Sequence, residues 1–134
     1  MKARLEAGFG GTRILLAEDE PVNREVLQGI LKDAGLSVDV AEDGAIALAL
    51  ARQHRYAVIL MDMQMPNLNG VDATRAIRLD SLNTDTPILA MTSNAFDEDR
   101  QVCLDAGMND HIAKPVETPA MFQTLLRWLE KRND

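Results

Sequence analysis

Five short apolar segments recur along the chain, and each is followed by a stretch in which hydrophobic positions are spaced differently. The most continuous segment runs from Tyr56 to Met61 without a charged residue and ends in a carboxylate, Asp62. Such an unbroken run is typical of a strand buried on both faces, as in a parallel sheet covered by helices. The predicted strands cover residues 14–17, 36–41, 56–62, 87–91 and 111–113.

The stretches between the strands have the three- and four-residue spacing of amphipathic helices. The first predicted helix starts with Pro21 in its first turn and ends near Gly35, a residue typical of helix ends. Its apolar positions are Val22, Val26, Leu27, Ile30, Leu31 and Ala34. The later helices are predicted over 45–53, 70–80 and 95–106 and from 118 onward, with Asp43, Asn69 and Thr118 as caps.

Alternation of strands and helices predicts an α/β fold with a parallel sheet, right-handed crossovers and helices on both faces. For five strands the expected arrangement is the flavodoxin-like doubly wound (βα)5 fold with strand order 2-1-3-4-5. The second strand is less apolar than the others, which indicates an edge position. Residues 80–86 are polar and are predicted to form a surface loop. Residues 1–12 lack sustained periodicity and are predicted to be a flexible leader or linker before one domain at 13–132.

Composition narrows the possible functions. The net charge of −7 argues against nucleic-acid binding through a basic surface. Cys103 is the only cysteine, which excludes an intramolecular disulfide and favours a reducing cytoplasm. No apolar run reaches the roughly 20 residues of a membrane span, so we expect no direct membrane contact. A cationic ligand or a basic partner surface suits this acidic chain better.

Polar side chains stand where four of the predicted strands end: Glu18 and Asp19, Asp62, Thr92, and Lys114. The carboxyl ends of parallel strands share one edge of a sheet, so these groups should converge. Clustered carboxylates need a cation, and oxygen ligands completed by water and phosphate favour Mg²⁺. A carboxylate beside Mg²⁺ can attack a phosphoryl group, with a lysine and a hydroxyl stabilising its charge. Each residue alone has an ordinary structural explanation, such as a helix cap, a turn or a solvated lysine; their joint placement favours a phosphoryl-transfer site.

The chain resembles the receiver domain of two-component response regulators across about residues 13–132. The motifs that carry the resemblance are residues 15–20 (LLAEDE), 61–66 (MDMQMP) with Gly70, 91–95 (MTSNA) and 106–115 (AGMNDHIAKP). The resemblance implies that Asp62 is phosphorylated from a phosphohistidine. It implies Mg²⁺ ligation by Asp19, Asp62 and the backbone carbonyl of Gln64, with Glu18 acting through water.

The same resemblance implies that Thr92 and Lys114 bind the phosphoryl group and that Lys114–Pro115 is a cis peptide. Thr92 and the residue at position 111 would form the conformational switch, but His111 stands where many receivers have Tyr or Phe. Gln64 and Asn94 occupy places that tune phosphate lifetime in the family. Neither is acidic, so we expect no strong recruitment of hydrolytic water.

Finer details look most like receivers attached to hybrid sensor histidine kinases, notably Pro21-Val22-Asn23 and the segment from Ala106 to His111. The domain would then catalyse its own phosphorylation and dephosphorylation without being a turnover enzyme. Its partner would be a histidine kinase or a histidine phosphotransfer domain, and it would be a monomer or weak dimer. The alternatives are a stand-alone response regulator, a receiver-like docking module that is not phosphorylated, and a phosphohydrolase of the haloacid dehalogenase type. The last needs a second acid where Gln64 stands.

Overall fold

The computed structural model describes residues 2–93 and 97–132. Within these residues, five strands alternate with helices, and one further helix precedes the first strand. The elements are α1 Lys2–Phe9, β1 Arg13–Ala17, α2 Pro21–Asp33, β2 Ser37–Ala41, α3 Gly44–Gln53, β3 Val58–Asp62, α4 Gly70–Leu79, β4 Ile88–Thr92, α5 Asp97–Ala106, β5 Asp110–Ala113 and α6 Thr118–Arg132. The predicted elements are therefore present, with boundaries shifted by a few residues.

All strands are parallel and their order is β2-β1-β3-β4-β5, which confirms the predicted topology with β2 at an edge. The register aligns the carboxyl ends: Ala17 pairs with Met61, Asp62 pairs with Met91, and Thr92 pairs with Ala113. The residues that follow these strands consequently emerge along one edge of the sheet.

Two hydrophobic clusters cover the two faces of the sheet, because successive strand residues point in opposite directions. Val58 and Leu60 of β3 face the cluster that includes Leu31 of α2 and Leu125 of α6. Ile59 and Met61 face the opposite cluster, which is built from α3, α4 and α5. β3 is buried along its whole length, so the backbone that presents Asp62 is held from both sides.

The segment predicted to be a flexible leader or linker, residues 1–12, contains a helix that the sequence analysis did not predict, α1 at Lys2–Phe9. Leu5 is fully buried, and the flanking charges pair with distant residues: Arg4 with Glu130 at 2.7 Å and Lys2 with Asp33 at 2.6 Å. One buried leucine in an eight-residue helix produces no detectable period, so the sequence pattern missed it. The prediction that this segment belongs to a linker stays a prediction.

Two of the six apolar positions of α2 do not face the core. Val22 and Val26 are 65% and 54% exposed, whereas Leu27, Leu31 and Ala34 are buried. The buried stripe follows the i, i+4, i+7 spacing from Leu27, and Val26 lies about 100° around the helix from it. The outer face of α2 therefore presents two valines to solvent.

The polar tract at 80–86 is not simply a surface loop, because Asn83 and Thr86 are buried. The Asn83 amide nitrogen donates to the carbonyls of Ala51 and His54 at 2.7 and 2.8 Å, and its oxygen accepts from the Tyr56 N–H at 2.8 Å. It thereby satisfies carbonyls that the end of α3 leaves without helical partners. Among residues 2–93 and 97–132, no helix combines the length and apolar character needed to cross a bilayer.

Candidate functional site

An open cleft of about 800 Å³ lies at the carboxyl edge of the sheet, beside the ends of the neighbouring strands β1 and β3. The candidate residues that line it are Glu18, Asp19, Asp62, Gln64, Thr92 and Lys114. They arrive from separate parts of the chain, each just after or at the end of a strand. The structure thus brings together six of the seven site residues predicted from the sequence.

The acidic centre of the cleft consists of Glu18, Asp19 and Asp62. One carboxylate oxygen from each lies within 4.8 Å of the other two. Glu18 is 1% exposed and Asp62 is 3% exposed, while Asp19 is half-buried. Like charges at this range, partly removed from water, raise one another's cost of ionisation.

Lys114 supplies a positive charge to this centre. Its Nζ donates to Asp62 Oδ1 at 2.8 Å and lies 3.5 Å from Glu18 Oε1. Burial alone would lower the pKa of Lys114, but the hydrogen bond and attraction to Asp62, together with the attraction to Glu18, raise it above its ordinary value. Lys114 is therefore a fixed cation beside the carboxylate that it contacts.

The two buried carboxyl groups respond in opposite directions. Burial raises the pKa of Glu18 to about 7, and the neighbouring Asp62 adds to the rise against the attraction of Lys114. Burial opposes the ionisation of Asp62 as well, but its contacts with Glu18 and Lys114 outweigh burial and lower the pKa of Asp62. Asp62 is consequently the carboxyl group of this pair that stays ionised.

The donor set fits a hard divalent cation. Glu18 Oε1 is buried and accepts no hydrogen bond from the described residues, and its ion pair with Lys114 Nζ is long, at 3.5 Å. A second cation close to this oxygen would compensate its charge when Glu18 is ionised. The cluster offers oxygen ligands alone, and Mg²⁺ prefers a few carboxylates completed by water. The residues around the cleft therefore suit Mg²⁺, with the half-buried Asp19 as the most accessible of the three carboxylates.

The backbone after Asp62 also turns toward the cleft. The Gln64 N–H lies 3.3 Å from Asp62 Oδ1, a long hydrogen bond to the same oxygen that Lys114 contacts. Gly70 lets this loop pass close to the strand, because a Cβ at that position would overlap the Asp62 carbonyl oxygen. Glycine is required here by the close approach of two backbone segments.

Thr92 and Lys114 are linked through the backbone. Thr92 is the last residue of β4 and is half-buried, and its carbonyl accepts from the Lys114 N–H at 2.9 Å. The Lys114–Pro115 peptide bond is cis, as the sequence resemblance implied. The backbone hydrogen bond joins the ends of β4 and β5, and both Thr92 and Lys114 line the cleft.

His111 does not line the cleft. It lies in β5, half-buried, with Nδ1 3.7 Å from Asp110 Oδ1, and it borders a separate small depression with Cys103 and Leu104. The assignment of His111 as a switch residue stays a prediction. Asn94 lies outside the described residues.

Sequence reasoning missed three residues that shape this edge. The Glu20 carboxylate caps α2 by accepting from the Val22 and Asn23 N–H groups at 3.1 and 2.7 Å. Asn67 donates from Nδ2 to Asp43 at 2.6 Å, and Gly44 packs directly under the Leu68 carbonyl. Glu20 could have been found from its place before Pro21. The other two depend on contacts between distant loops, which no local pattern encodes.

The chain was compared with known proteins. The model of the response regulator receiver domain family matches residues 14–126 of this chain. The chain is 38% identical over 122 residues to transcription factor SKN7 of Saccharomyces cerevisiae and 41% identical over 126 residues to hybrid signal transduction histidine kinase B of Dictyostelium discoideum. These matches cover 91% and 86% of the chain but only 19% and 6% of the relatives, so the chain spans a small part of their length.

Solved structures share both fold and sequence with the chain. One is the receiver domain of a sensor histidine kinase from Pseudomonas aeruginosa PAO1, with a magnesium ion coordinated in its active-site cleft. It has a TM-score of 0.84 and 43% identity, covering 90% of this chain and 99% of that one. Another is the receiver domain of Ssk1 of Saccharomyces cerevisiae in complex with the histidine phosphotransfer protein Ypd1, at a TM-score of 0.82 and 26% identity, covering 90% of both chains.

Proposed function

The chain belongs to the receiver-domain family of response regulators, and from that premise we propose that it accepts a phosphoryl group from a phosphohistidine onto Asp62. The observation that carries the proposal is the contact of Asp62 Oδ1 with Lys114 Nζ at 2.8 Å inside a cleft that also holds Glu18 and Asp19. An ionised, positioned carboxylate and a fixed cation are the two parts that such a transfer needs most.

In the proposed reaction an Asp62 oxygen attacks the phosphorus atom. A new P–O bond forms while the P–N bond to the donor imidazole breaks, and the imidazole nitrogen keeps the bonding electron pair. Negative charge then lies on the phosphoryl oxygens within reach of Lys114, which can follow the charge from Asp62 Oδ1. Thr92 supplies a hydroxyl donor at the end of the neighbouring strand.

Asp19, Asp62 and the Gln64 carbonyl would hold Mg²⁺, and Glu18 would act through a bound water. The metal, when bound, neutralises charge on the carboxylates and on the phosphoryl oxygens. The buried oxygen of Glu18 and the oxygen-only donor set support this assignment. A crystallised relative with magnesium in its cleft, at 43% identity, supports it further.

We propose a hybrid sensor kinase as the parent protein and a histidine kinase or histidine phosphotransfer domain as the partner. A hybrid histidine kinase of Dictyostelium discoideum among the relatives supports the first, and the Ssk1 receiver in complex with a histidine phosphotransfer protein supports the second. The proposal includes a cytoplasmic location and a change in the protein-interaction surface on phosphorylation, with Thr92 and His111 as candidate switch residues.

The proposal is tested by treating the protein with an acyl phosphate and Mg²⁺ and measuring the intact mass. Wild type should gain the mass of one phosphoryl group, and omission of Mg²⁺ should suppress the gain. Asp62→Asn should gain none, because its amide is not a nucleophile toward phosphorus. Asp85→Asn, an exposed carboxylate beyond this cleft, is the matched control and should be labelled like wild type.

Equal labelling of Asp62→Asn and wild type would refute the site assignment. Absence of labelling in wild type, from both the acyl phosphate and a phosphorylated histidine phosphotransfer domain, would favour the unphosphorylated docking module instead.

A further inference from the structure

The loop between β3 and α4, residues 63–69, contains the Gln64 carbonyl that is proposed to bind Mg²⁺. Its position relative to Asp62 is therefore part of the site. The loop is fixed at both ends: the Met63 N–H donates to the Met91 carbonyl at 3.2 Å, and the Gly70 N–H donates to the Met63 carbonyl at 3.1 Å. The middle of the loop needs a constraint of its own.

The middle of the loop is a tight turn centred on Asn67. Asn67 has a φ of +67°, and the Leu68 N–H donates to the Pro66 carbonyl at 2.7 Å, two residues back. A three-residue turn with positive φ is rare and strained for a residue other than glycine. Such a conformation persists only where surrounding contacts impose it.

Asp43 provides that contact from the start of α3. Its Oδ1 accepts from the Ile46 N–H at 2.8 Å as the helix cap, and its Oδ2 accepts from Asn67 Nδ2 at 2.6 Å. These two hydrogen bonds lower the pKa of Asp43, so it is a carboxylate with only acceptor oxygens. The amide nitrogen of Asn67 must then face it.

Shape reinforces the hydrogen bond. A Cβ on Gly44 would overlap the Leu68 carbonyl oxygen, so the start of α3 lies in backbone contact with the turn. Asp43 and Gly44 together define where the middle of the loop can lie. Neither residue lines the cleft that contains Asp62.

We propose that Asp43 and Asn67 are positioning residues for the metal site: their hydrogen bond holds the turn so that the Gln64 carbonyl faces the cleft. The proposal rests on the proposed Mg²⁺-dependent function. If the hydrogen bond between Asp43 and Asn67 is lost, the loop occupies the binding-competent geometry for a smaller fraction of the time. The apparent association constant for Mg²⁺ falls in proportion to that fraction.

The test compares four variants by calorimetric titration with Mg²⁺ at pH 8. Asn67→Gly permits the same φ but removes the side-chain amide, and Asn67→Asp places two carboxylates face to face. Both should weaken Mg²⁺ binding by roughly tenfold or more, the change expected for the loss of a hydrogen bond to a charged group. Asp43→Asn alone should be close to wild type, because the Asn67 amide can turn and accept. The double variant Asp43→Asn with Asn67→Asp exchanges the amide and the carboxylate, so the amide at position 43 can donate to the carboxylate at position 67. It should recover wild-type affinity for Mg²⁺.

Tyr56→Phe is the matched control for a general loss of stability. It removes the hydrogen bond from the Tyr56 hydroxyl to Asp39 Oδ2 at 2.7 Å, and Tyr56 lies two residues before the start of β3, at the end of the strand opposite to Asp62. It should lower the melting temperature without changing the Mg²⁺ dissociation constant. A second readout is amide hydrogen exchange of residues 63–68 in metal-free protein, which should be faster in Asn67→Gly and Asn67→Asp and restored in the double variant.

Wild-type affinity in both Asn67 variants, or an unrescued double variant, would overturn the positioning role while leaving the proposed function standing. Unchanged hydrogen exchange in the Asn67 variants would overturn it equally. A wild-type protein that binds no Mg²⁺ would refute the proposed function, and the positioning role with it.

Discussion

Replacing Glu18 with glutamine should stabilise the metal-free protein and weaken its response to Mg²⁺. Glu18 is buried, its Oε1 accepts no hydrogen bond from the described residues, and burial beside Asp62 raises its pKa from an ordinary 4.5 to about 7. At about 1.4 kcal/mol per pKa unit, that difference corresponds to about 3–4 kcal/mol of folding free energy lost when Glu18 is ionised. Glutamine keeps the shape without the charge.

The sign of the effect with pH follows from the raised pKa. Below pH 4.5 Glu18 is protonated in both the folded and the unfolded chain, so the variant gains nothing. Between pH 4.5 and about 7 the unfolded chain releases this proton first, and the penalty in wild type grows. Above pH 7 the penalty is complete. Allowing for imperfect hydrogen bonding of the amide, we expect the variant to be about 2 kcal/mol more stable at pH 8, a rise in melting temperature of roughly 5–8 °C.

The assay is urea unfolding with a metal chelator at pH 8 and at pH 4, followed by the same series in excess Mg²⁺. The variant should unfold at higher urea at pH 8, show no advantage at pH 4, and gain less than wild type from Mg²⁺. A variant that is no more stable at pH 8, or equally favoured at both pH values, would refute the reasoning that Glu18 is a strained anion.

Two further outcomes are expected. Lys114→Ala should still bind Mg²⁺ but lose the phosphorylation-dependent change in amide exchange, because it leaves the metal ligands and removes the cation 2.8 Å from Asp62; an unaltered response would remove Lys114 from the mechanism. Asn83→Ala should lower the free energy of unfolding by about 3 kcal/mol, measured in urea, because it leaves the His54 carbonyl and the Tyr56 N–H without their buried partner and the Ala51 carbonyl with only the Leu82 N–H. A loss under 1 kcal/mol would show that water replaces the amide.

Periodicity predicted the five strands and their alternation with helices, and the strand order common to five-stranded doubly wound sheets supplied the topology. An apolar run such as Val58–Met61 has one stable environment, between two helical layers, and a parallel sheet then sends its polar strand ends to one edge. That geometry is why Asp62 and Lys114, 52 residues apart in the chain, could be placed together before any coordinates were known.

The features that sequence missed depend on contacts between distant segments. Leu5 is buried only because α6 and α2 offer a surface for it, and Asn83 is buried because α3 ends where carbonyls need donors. The Asp43–Asn67 hydrogen bond joins two loops that are each ordinary when considered alone. The helix and strand propensities of single residues contain no information about contacts between segments that are far apart in the chain.

The strain at Glu18 and the restraint at Asn67 have complementary consequences for metal binding. Ionisation of a buried carboxylate destabilises the metal-free fold, and a ligand that binds only the folded state returns stability by mass action. Mg²⁺ would relieve the repulsion among Glu18, Asp19 and Asp62, so part of its binding free energy would come from the removal of that repulsion. This gain is realised only if the Gln64 carbonyl is already in place, because ordering a loop on binding would consume it. On the proposed function, a turn already held by Asp43 would spare Mg²⁺ binding the cost of ordering the loop.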